Sequence, residues 1–105
     1  MARSCAKIVR ERVKMVALGL LPVLDSVSLS KFGVDFGTVF AEKPEHVYEI
    51  VREALDDDFK ARVFLKAVLS GLVDRGSMTV DEIVEALRRK EKLNLGEFIA
   101  ACAGG

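Results

Sequence analysis

The sequence has few of the residues from which most catalytic and metal sites are built. It contains one histidine, His46, and two cysteines, Cys5 and Cys102, and it has no tryptophan. A zinc site needs several Cys or His ligands at short spacing, and a catalytic triad needs a base beside a nucleophile. His46 lies between Glu45 and Glu49, with no second His and no nucleophile at matched spacing. We therefore predict no catalytic residue, no metal site and no cofactor, and a protein that is not an enzyme.

The glycine-rich and aspartate-rich segments also lack the patterns of known binding loops. Gly33 and Gly37 match neither the dinucleotide fingerprint nor a phosphate-binding loop, which ends in Gly-Lys followed by Ser or Thr. Asp56, Asp57 and Asp58 are consecutive, whereas a calcium loop alternates its ligands and adds a central Gly and a distal Glu. We interpret the three aspartates as a solvated connection between helices.

The chain has no excess of charge of either sign. Its 16 Lys and Arg residues balance 16 Asp and Glu residues, so no overall field attracts nucleic acid or anionic lipid. Two apolar runs, residues 16–24 and 63–72, are interrupted by Pro22 and Lys66 and are shorter than the roughly 20 residues that span a bilayer. Basic residues near the N-terminus are spread among apolar ones, unlike those of a signal peptide. We therefore expect a cytoplasmic protein with no membrane partner.

Apolar residues are abundant for so short a chain. The sequence is 50% hydrophobic and 30% charged, which is typical of a folded protein rather than a disordered one. Its 105 residues leave little room for a second core, so we predict one domain over residues 1–105. A mean hydropathy of +0.25 indicates more apolar surface than a small core can cover, which favours self-association.

Helical spacing of apolar residues predicts an all-α bundle of about five to seven helices. The first helix is expected over residues 4–20, with Ser4 as its N-cap. Pro22 then begins a second helix that ends near Gly33, because proline suits the first helical turn and glycine the end. We expect the chain to fold back at this break.

Four further helices are expected in the rest of the chain. Pro44 opens one that ends near Asp56, and Asp58 caps a central helix that is apolar in nearly every direction and should be buried on most sides. Thr79 and Glu82 form a capping box for a helix over residues 80–90. A short apolar helix over residues 95–103 is expected to end the bundle.

Residues 27–40 allow two interpretations. Apolar residues alternate with polar ones in parts of this segment, which would suit a small β-hairpin and an α+β fold. We favour a short helix that Asp35 caps and that runs to Glu42, because an isolated hairpin is only marginally stable.

The oxidation state of the two cysteines is left open by the sequence. Cys5 and Cys102 lie at opposite ends of the chain without any CxxC motif, which favours two buried thiols. The chain has no glutamine and one asparagine, with abundant Val, Glu, Lys and Arg, a composition typical of thermophiles. Because intracellular disulfides occur in hyperthermophiles, a disulfide is the alternative.

Charged residues form two stripes of opposite sign. Steps of three and four residues place the basic stripe along one face of the first helix, and the acidic stripe follows the helix opened by Pro44. The stripes could pair within the fold, pair between copies or be solvated independently. The basic stripe is Arg3, Lys7, Arg10 and Lys14, and the acidic stripe is Glu42, Glu45, Glu49, Glu53 and Asp56.

The first functional hypothesis is a helical protein–protein interaction module that self-associates as a homodimer or binds another protein. Its contact surface would be the apolar C-terminal helix or residues 34–40. The predicted interaction residues are Arg3, Lys7, Arg10, Lys14, Glu45, Glu49, Glu53, Phe98 and Ile99.

The alternative hypothesis is a small DNA-binding regulator with an atypical helix-turn-helix in residues 79–103. The turn would be longer than usual, and the second helix carries no Arg, Lys or Gln to read base edges. Contacts would be restricted to the nucleic-acid backbone. The residues expected to make these contacts are Arg88, Arg89, Lys90 and Lys92.

Overall fold

The structure is a computed structural model that describes the backbone of residues 2–103 and the side chains of residues 5–103. The described residues form six α-helices joined by turns, with no strand among them. The predicted all-α fold is confirmed, and the alternative of a hairpin within residues 27–40 is wrong. The helices are α1 (Ala2–Ala17), α2 (Leu21–Phe32), α3 (Phe36–Glu42), α4 (Val47–Leu55), α5 (Asp58–Ser70) and α6 (Val80–Arg88).

The chain turns between α1 and α2 as expected. Ala17 leaves the helical conformation with φ −157° and ψ 81°, and a 3-10 turn, Leu18–Leu20, leads into α2. Arg10 Nη1 lies 2.9 Å from Asp25 Oδ1. In a straight helix, fifteen residues would separate these groups by about 22 Å. The two helices therefore fold against each other. Because α1 begins at Ala2, Ser4 lies within the helix and is not its N-cap.

Two of the predicted N-caps are confirmed by hydrogen bonds. The Asp35 carboxylate accepts from the Thr38 N–H at 3.2 Å at the start of α3. The capping box of α6 is complete, because Thr79 Oγ1 accepts from the Glu82 N–H and Glu82 accepts from the Thr79 N–H. Helix α5 is capped by Asp57 rather than by Asp58.

The core lies where the six helices and the C-terminal segment meet. Helix α3 approaches α1 closely, because a Cβ added at Gly37 would lie 2.7 Å from the carbonyl oxygen of Ala6. Phe36 and Phe40 are fully buried and pack edge to face with ring centroids 6.1 Å apart. Helix α5 contributes Leu65 and Leu69, which are also fully buried.

One face of α5 departs from the prediction of a helix buried on most sides. Phe59 is 68% exposed and Val63 is 49% exposed. Apolar spacing predicts burial on this side too, but no other described element covers it.

The C-terminal segment is not the predicted helix over residues 95–103. Two 3-10 turns, Leu95–Glu97 and Ala100–Cys102, replace it. The Phe98 carbonyl accepts from the Asp74 N–H at 2.9 Å, and the Ala100 N–H donates to the Asp74 carboxylate at 3.0 Å. Phe98 and Ile99 are 5% and 1% exposed, so they belong to the core.

The two ends of the chain are joined covalently. Cys5 on α1 and Cys102 in the last turn form a disulfide, with their Cα atoms 4.6 Å apart. The favoured interpretation of two buried thiols is therefore wrong, and the alternative of a disulfide holds. The C-terminal segment packs back onto α1, which brings together residues 97 positions apart in the chain.

Candidate functional site

An open apolar groove lies between α5 and the bend that joins α1 to α2. Its volume is about 370 Å³. Ala17 and Ala67 are small side chains on its walls, and Lys60 is the one charged residue among the described residues that line it. We call this feature the apolar groove, and its lining residues are Val16, Ala17, Leu20, Leu55, Phe59, Lys60, Val63, Phe64 and Ala67.

Two large exposed side chains border the apolar groove. Phe59 and Val63 are one helical turn apart, so they project from the same face of α5. We call this pair the α5 ridge. Single exposed apolar residues are ordinary on protein surfaces, but a groove lined by apolar residues next to two such side chains forms a continuous patch. This arrangement is typical of a surface that a partner covers.

A second groove lies on the other side of the α5 ridge and carries charge. It has a volume of about 370 Å³ and separates α5 from α6. Lys66 Nζ lies 2.8 Å from Asp81 Oδ1, and Arg62 Nη1 lies 4.0 Å from Glu85 Oε2. The α5 ridge therefore has an apolar region on one side and ion pairs on the other, as in an interface with an apolar centre and a polar rim.

Arg12 holds α1 in position along one wall of the apolar groove. Its guanidinium donates to the carbonyl oxygen of Ala67 at 2.8 Å and to that of Val68 at 3.3 Å. Gly71 leaves room for this guanidinium, since a side chain there would overlap it. These bonds fix the distance between α1 and the C-terminal half of α5.

A polar cluster holds the other end of α5. The Tyr48 hydroxyl donates to the Asp58 carboxylate, and Arg62 Nη2 lies 3.2 Å from Asp58 Oδ2. Burial, together with this hydrogen bond, raises the pKa of Tyr48 to about 12. The bond from Tyr48, helped by the charge of Arg62, lowers the pKa of Asp58. Tyr48 is thus a neutral donor at physiological pH, and it fixes the start of α5 beside Phe59.

Arg10 of the predicted basic stripe forms ion pairs within the fold. Its Nη1 lies 2.9 Å from Asp25 Oδ1 and 2.8 Å from Asp35 Oδ2. The Asp25 carboxylate also accepts from the Phe36 N–H at 3.0 Å, which joins α1, α2 and α3. Burial opposes ionisation of Asp35, but hydrogen bonds from Thr38 and the charge of Arg10 outweigh it and lower its pKa.

The other stripe residues are not brought together by ion pairs. Glu53 Oε1 lies 3.1 Å from Lys31 Nζ, and Glu49 Oε1 lies 2.6 Å from His46 Nδ1. Lys7 and Lys14 line an open cleft of about 310 Å³ together with Glu42. Among the side chains that the structure describes, no ion pair joins the basic stripe to the acidic one. Glu45 is partly buried at the start of the segment before α4. The Arg3 side chain lies outside the described residues.

The predicted nucleic-acid contacts lie at the end of α6, but the helix that should follow them is missing. Arg88 pairs with Glu85 at 3.2 Å, and Arg89 pairs with Glu91 at 2.7 Å. Lys90 has a left-handed backbone with φ 60°, and Lys92 is exposed. Within residues 2–103, α6 is the last α-helix, so the second half of the proposed helix-turn-helix has no counterpart.

The described residues offer weak support for a membrane span and none for a metal site. The stretch Cys5–Phe32 is long and apolar enough to cross a membrane by length and composition, and 22% of its most apolar window is buried. One such stretch is weak evidence, and the turn at Ala17 divides it. No group of three or more His, Cys, Asp or Glu residues in the described part of the chain could hold a metal ion.

Neither side of the α5 ridge was recognised as a site from the sequence. The signal was present, because α5 carries more apolar residues than one buried face needs. No protein-family model, no curated protein and no solved structure matches this chain.

Acid is expected to weaken the fold through Asp35. Its pKa in the folded protein lies below the unfolded value, so its ionised form contributes stability above pH about 4, and this contribution is lost as the pH falls through the lower folded pKa. Urea unfolding between pH 6 and pH 2.5 measures the effect. Asp35→Asn keeps a capping oxygen but not the charge, and it should flatten the curve. Identical pH profiles for both proteins would contradict this role.

Proposed function

We propose that this chain is a small cytoplasmic protein–protein interaction module that forms a homodimer through the α5 ridge and the apolar groove and has no catalytic activity. The observation that carries the proposal is the exposure of Phe59 and Val63 beside an apolar groove. Burial of such a surface is favourable in proportion to the apolar area removed from water.

The size of the patch fits a weak dimer. Phe59 is 68% exposed and Val63 is 49% exposed, and a fully covered aromatic side chain buries roughly 150–250 Å². Two copies of these side chains and the groove walls would bury less than the roughly 1,000 Å² expected of a stable specific interface. We therefore expect a monomer–dimer equilibrium that depends on concentration.

The charge of the protein does not oppose association with a second copy. The formal net charge is +0, so two copies do not repel each other as whole bodies. The ion pairs of Arg62 and Lys66 border the ridge, where they can rearrange between copies. Exposed pairs of this kind contribute little affinity, so apolar burial supplies most of it. A role for Lys7 and Lys14 in steering assembly stays a prediction.

Placing a charge on the α5 ridge is expected to weaken the dimer. Phe59→Glu or Val63→Glu should weaken association at least tenfold, because a carboxylate would be buried without a partner. Light scattering after size exclusion, over a range of protein concentrations, measures the molar mass. Circular dichroism checks that each variant is folded.

Leu29→Glu is the matched control for this experiment. Leu29 is 54% exposed on α2 and does not line the apolar groove, so its replacement should leave the dimer intact. A wild-type protein that stays monomeric at high micromolar concentration would overturn the proposal. So would a monomer that changes mass only with duplex DNA, or one that instead binds anionic vesicles.

A further inference from the structure

The exposed stripe of α5 decreases in side-chain size along the helix. Phe59, Val63 and Ala67 follow at steps of four residues and line the same groove. Phe59 projects from the helix and is 68% exposed, whereas Ala67 leaves space beside Ala17 and Val16. The distance along the helix axis from Phe59 to Ala67 is about 12 Å. The stripe therefore has a large residue at one end, a middle-sized one at its centre and a small one at the other end.

Such a stripe complements a copy of itself in only one orientation. When two α5 helices cross antiparallel with Val63 at the centre, Phe59 of each copy meets Ala67 of the other. In a parallel pair, Phe59 would meet Phe59 and Ala67 would meet Ala67, which crowds one end and leaves a gap at the other. Stripes at four-residue steps are also the ridges that interlock in common helix packing.

The charges at the start of α5 support the same orientation. Asp56, Asp57 and Asp58 lie together at its N-terminal end, and the Asp56 side chain is 99% exposed. A parallel pair would place these three aspartates against the same three residues of the second copy, and like charges in contact oppose association. An antiparallel pair separates the two acidic ends by the length of the stripe.

We infer that the partner of the apolar groove is Phe59 of a second copy, in a symmetric antiparallel dimer whose two-fold axis passes beside Val63. This inference rests on the proposed homodimer and adds its geometry. Each copy donates one phenyl ring and receives one, so the two contacts are equivalent. The groove wall at Ala17 and Ala67 accommodates the ring because both side chains are small.

Cross-linking through introduced cysteines tests the geometry. Both native cysteines are bonded to each other, so each single variant carries one reactive thiol. A short bis-maleimide should link Val63→Cys to itself. It should also link Phe59→Cys to Ala67→Cys in a mixture of the two variants, but should not link Phe59→Cys to itself. Leu29→Cys, which is 54% exposed and away from the groove, is the control for random collisions.

The outcomes separate this inference from the proposed dimer. Light scattering is run on each variant before cross-linking, at concentrations where the wild type is dimeric. A dimer in which Phe59→Cys links to itself, or in which neither expected pair links above the Leu29→Cys level, would overturn the antiparallel geometry and leave the dimer standing. A monomeric wild type would overturn both. Self-linking at position 63 together with the 59-to-67 pair is the result expected.

Discussion

Replacing Leu69 with alanine should lower the free energy of unfolding by roughly 2–5 kcal/mol. Leu69 is fully buried in the half of α5 that faces the core, and Leu65 one turn earlier is equally buried. Truncation removes apolar contacts and leaves a cavity that the surrounding helices close only in part. Urea unfolding of Leu69→Ala and of Leu65→Ala, each against the wild type, measures the loss.

Val63→Ala is the control for the same helix. Val63 is 49% exposed, so its truncation in the monomer should cost much less than truncation of Leu69. The measurement is made at low protein concentration, because dimer formation would add to the apparent stability of the wild type. If both variants lost the same free energy of unfolding, the difference in burial between the two faces of α5 would be contradicted.

The helix ends could be predicted because the signals for them are local. The bond from Thr38 to Asp35, and the two bonds of the Thr79 and Glu82 capping box, each join residues three positions apart. Such contacts depend on residue type and spacing rather than on the rest of the fold. The first helix was predicted too, although its start at Ala2 precedes the expected cap at Ser4.

The faces that are buried could not be predicted in the same way. Helical spacing shows which residues share a face, but it does not show how many other elements surround the helix. Phe59 and Leu65 are both apolar residues of α5, which packs against α1, α4 and α6, and only Leu65 is covered. The candidate site was missed for this reason, since exposed and buried apolar residues look alike in a sequence.

The prediction of a C-terminal helix was wrong for a related reason. Apolar residues around Phe98 predict a helix with an exposed face. The segment forms 3-10 turns instead of an α-helix, and its backbone makes hydrogen bonds to Asp74. Its partner elements are distant in the chain, so no local pattern reveals them. The position of Cys102 beside Cys5 depends on the same long-range packing.

Loss of the Cys5–Cys102 disulfide should destabilise the protein by about 3–5 kcal/mol and lower its melting temperature by roughly 15–30 °C. The bond joins residues 97 positions apart, so it restrains almost the whole unfolded chain. In the chain-entropy account, the stabilisation increases with the length of the loop that is closed. Thermal melts of Cys5→Ala, Cys102→Ala and the double variant measure the loss.

The stability losses of the three variants show whether the two cysteines act through their disulfide bond or through separate packing contacts. If the cysteines are bonded, each single replacement already breaks the bond, so the double variant should be little worse than either single one. Cys5 is 2% exposed, and its replacement removes some packing as well, so Cys5→Ala should be the more costly of the two. A reducing agent should lower the melting temperature of the wild type and leave that of the double variant unchanged. Additive losses, or two thiols titrated in the unfolded wild type without reductant, would instead show that the cysteines are free and that the ends are held by packing alone.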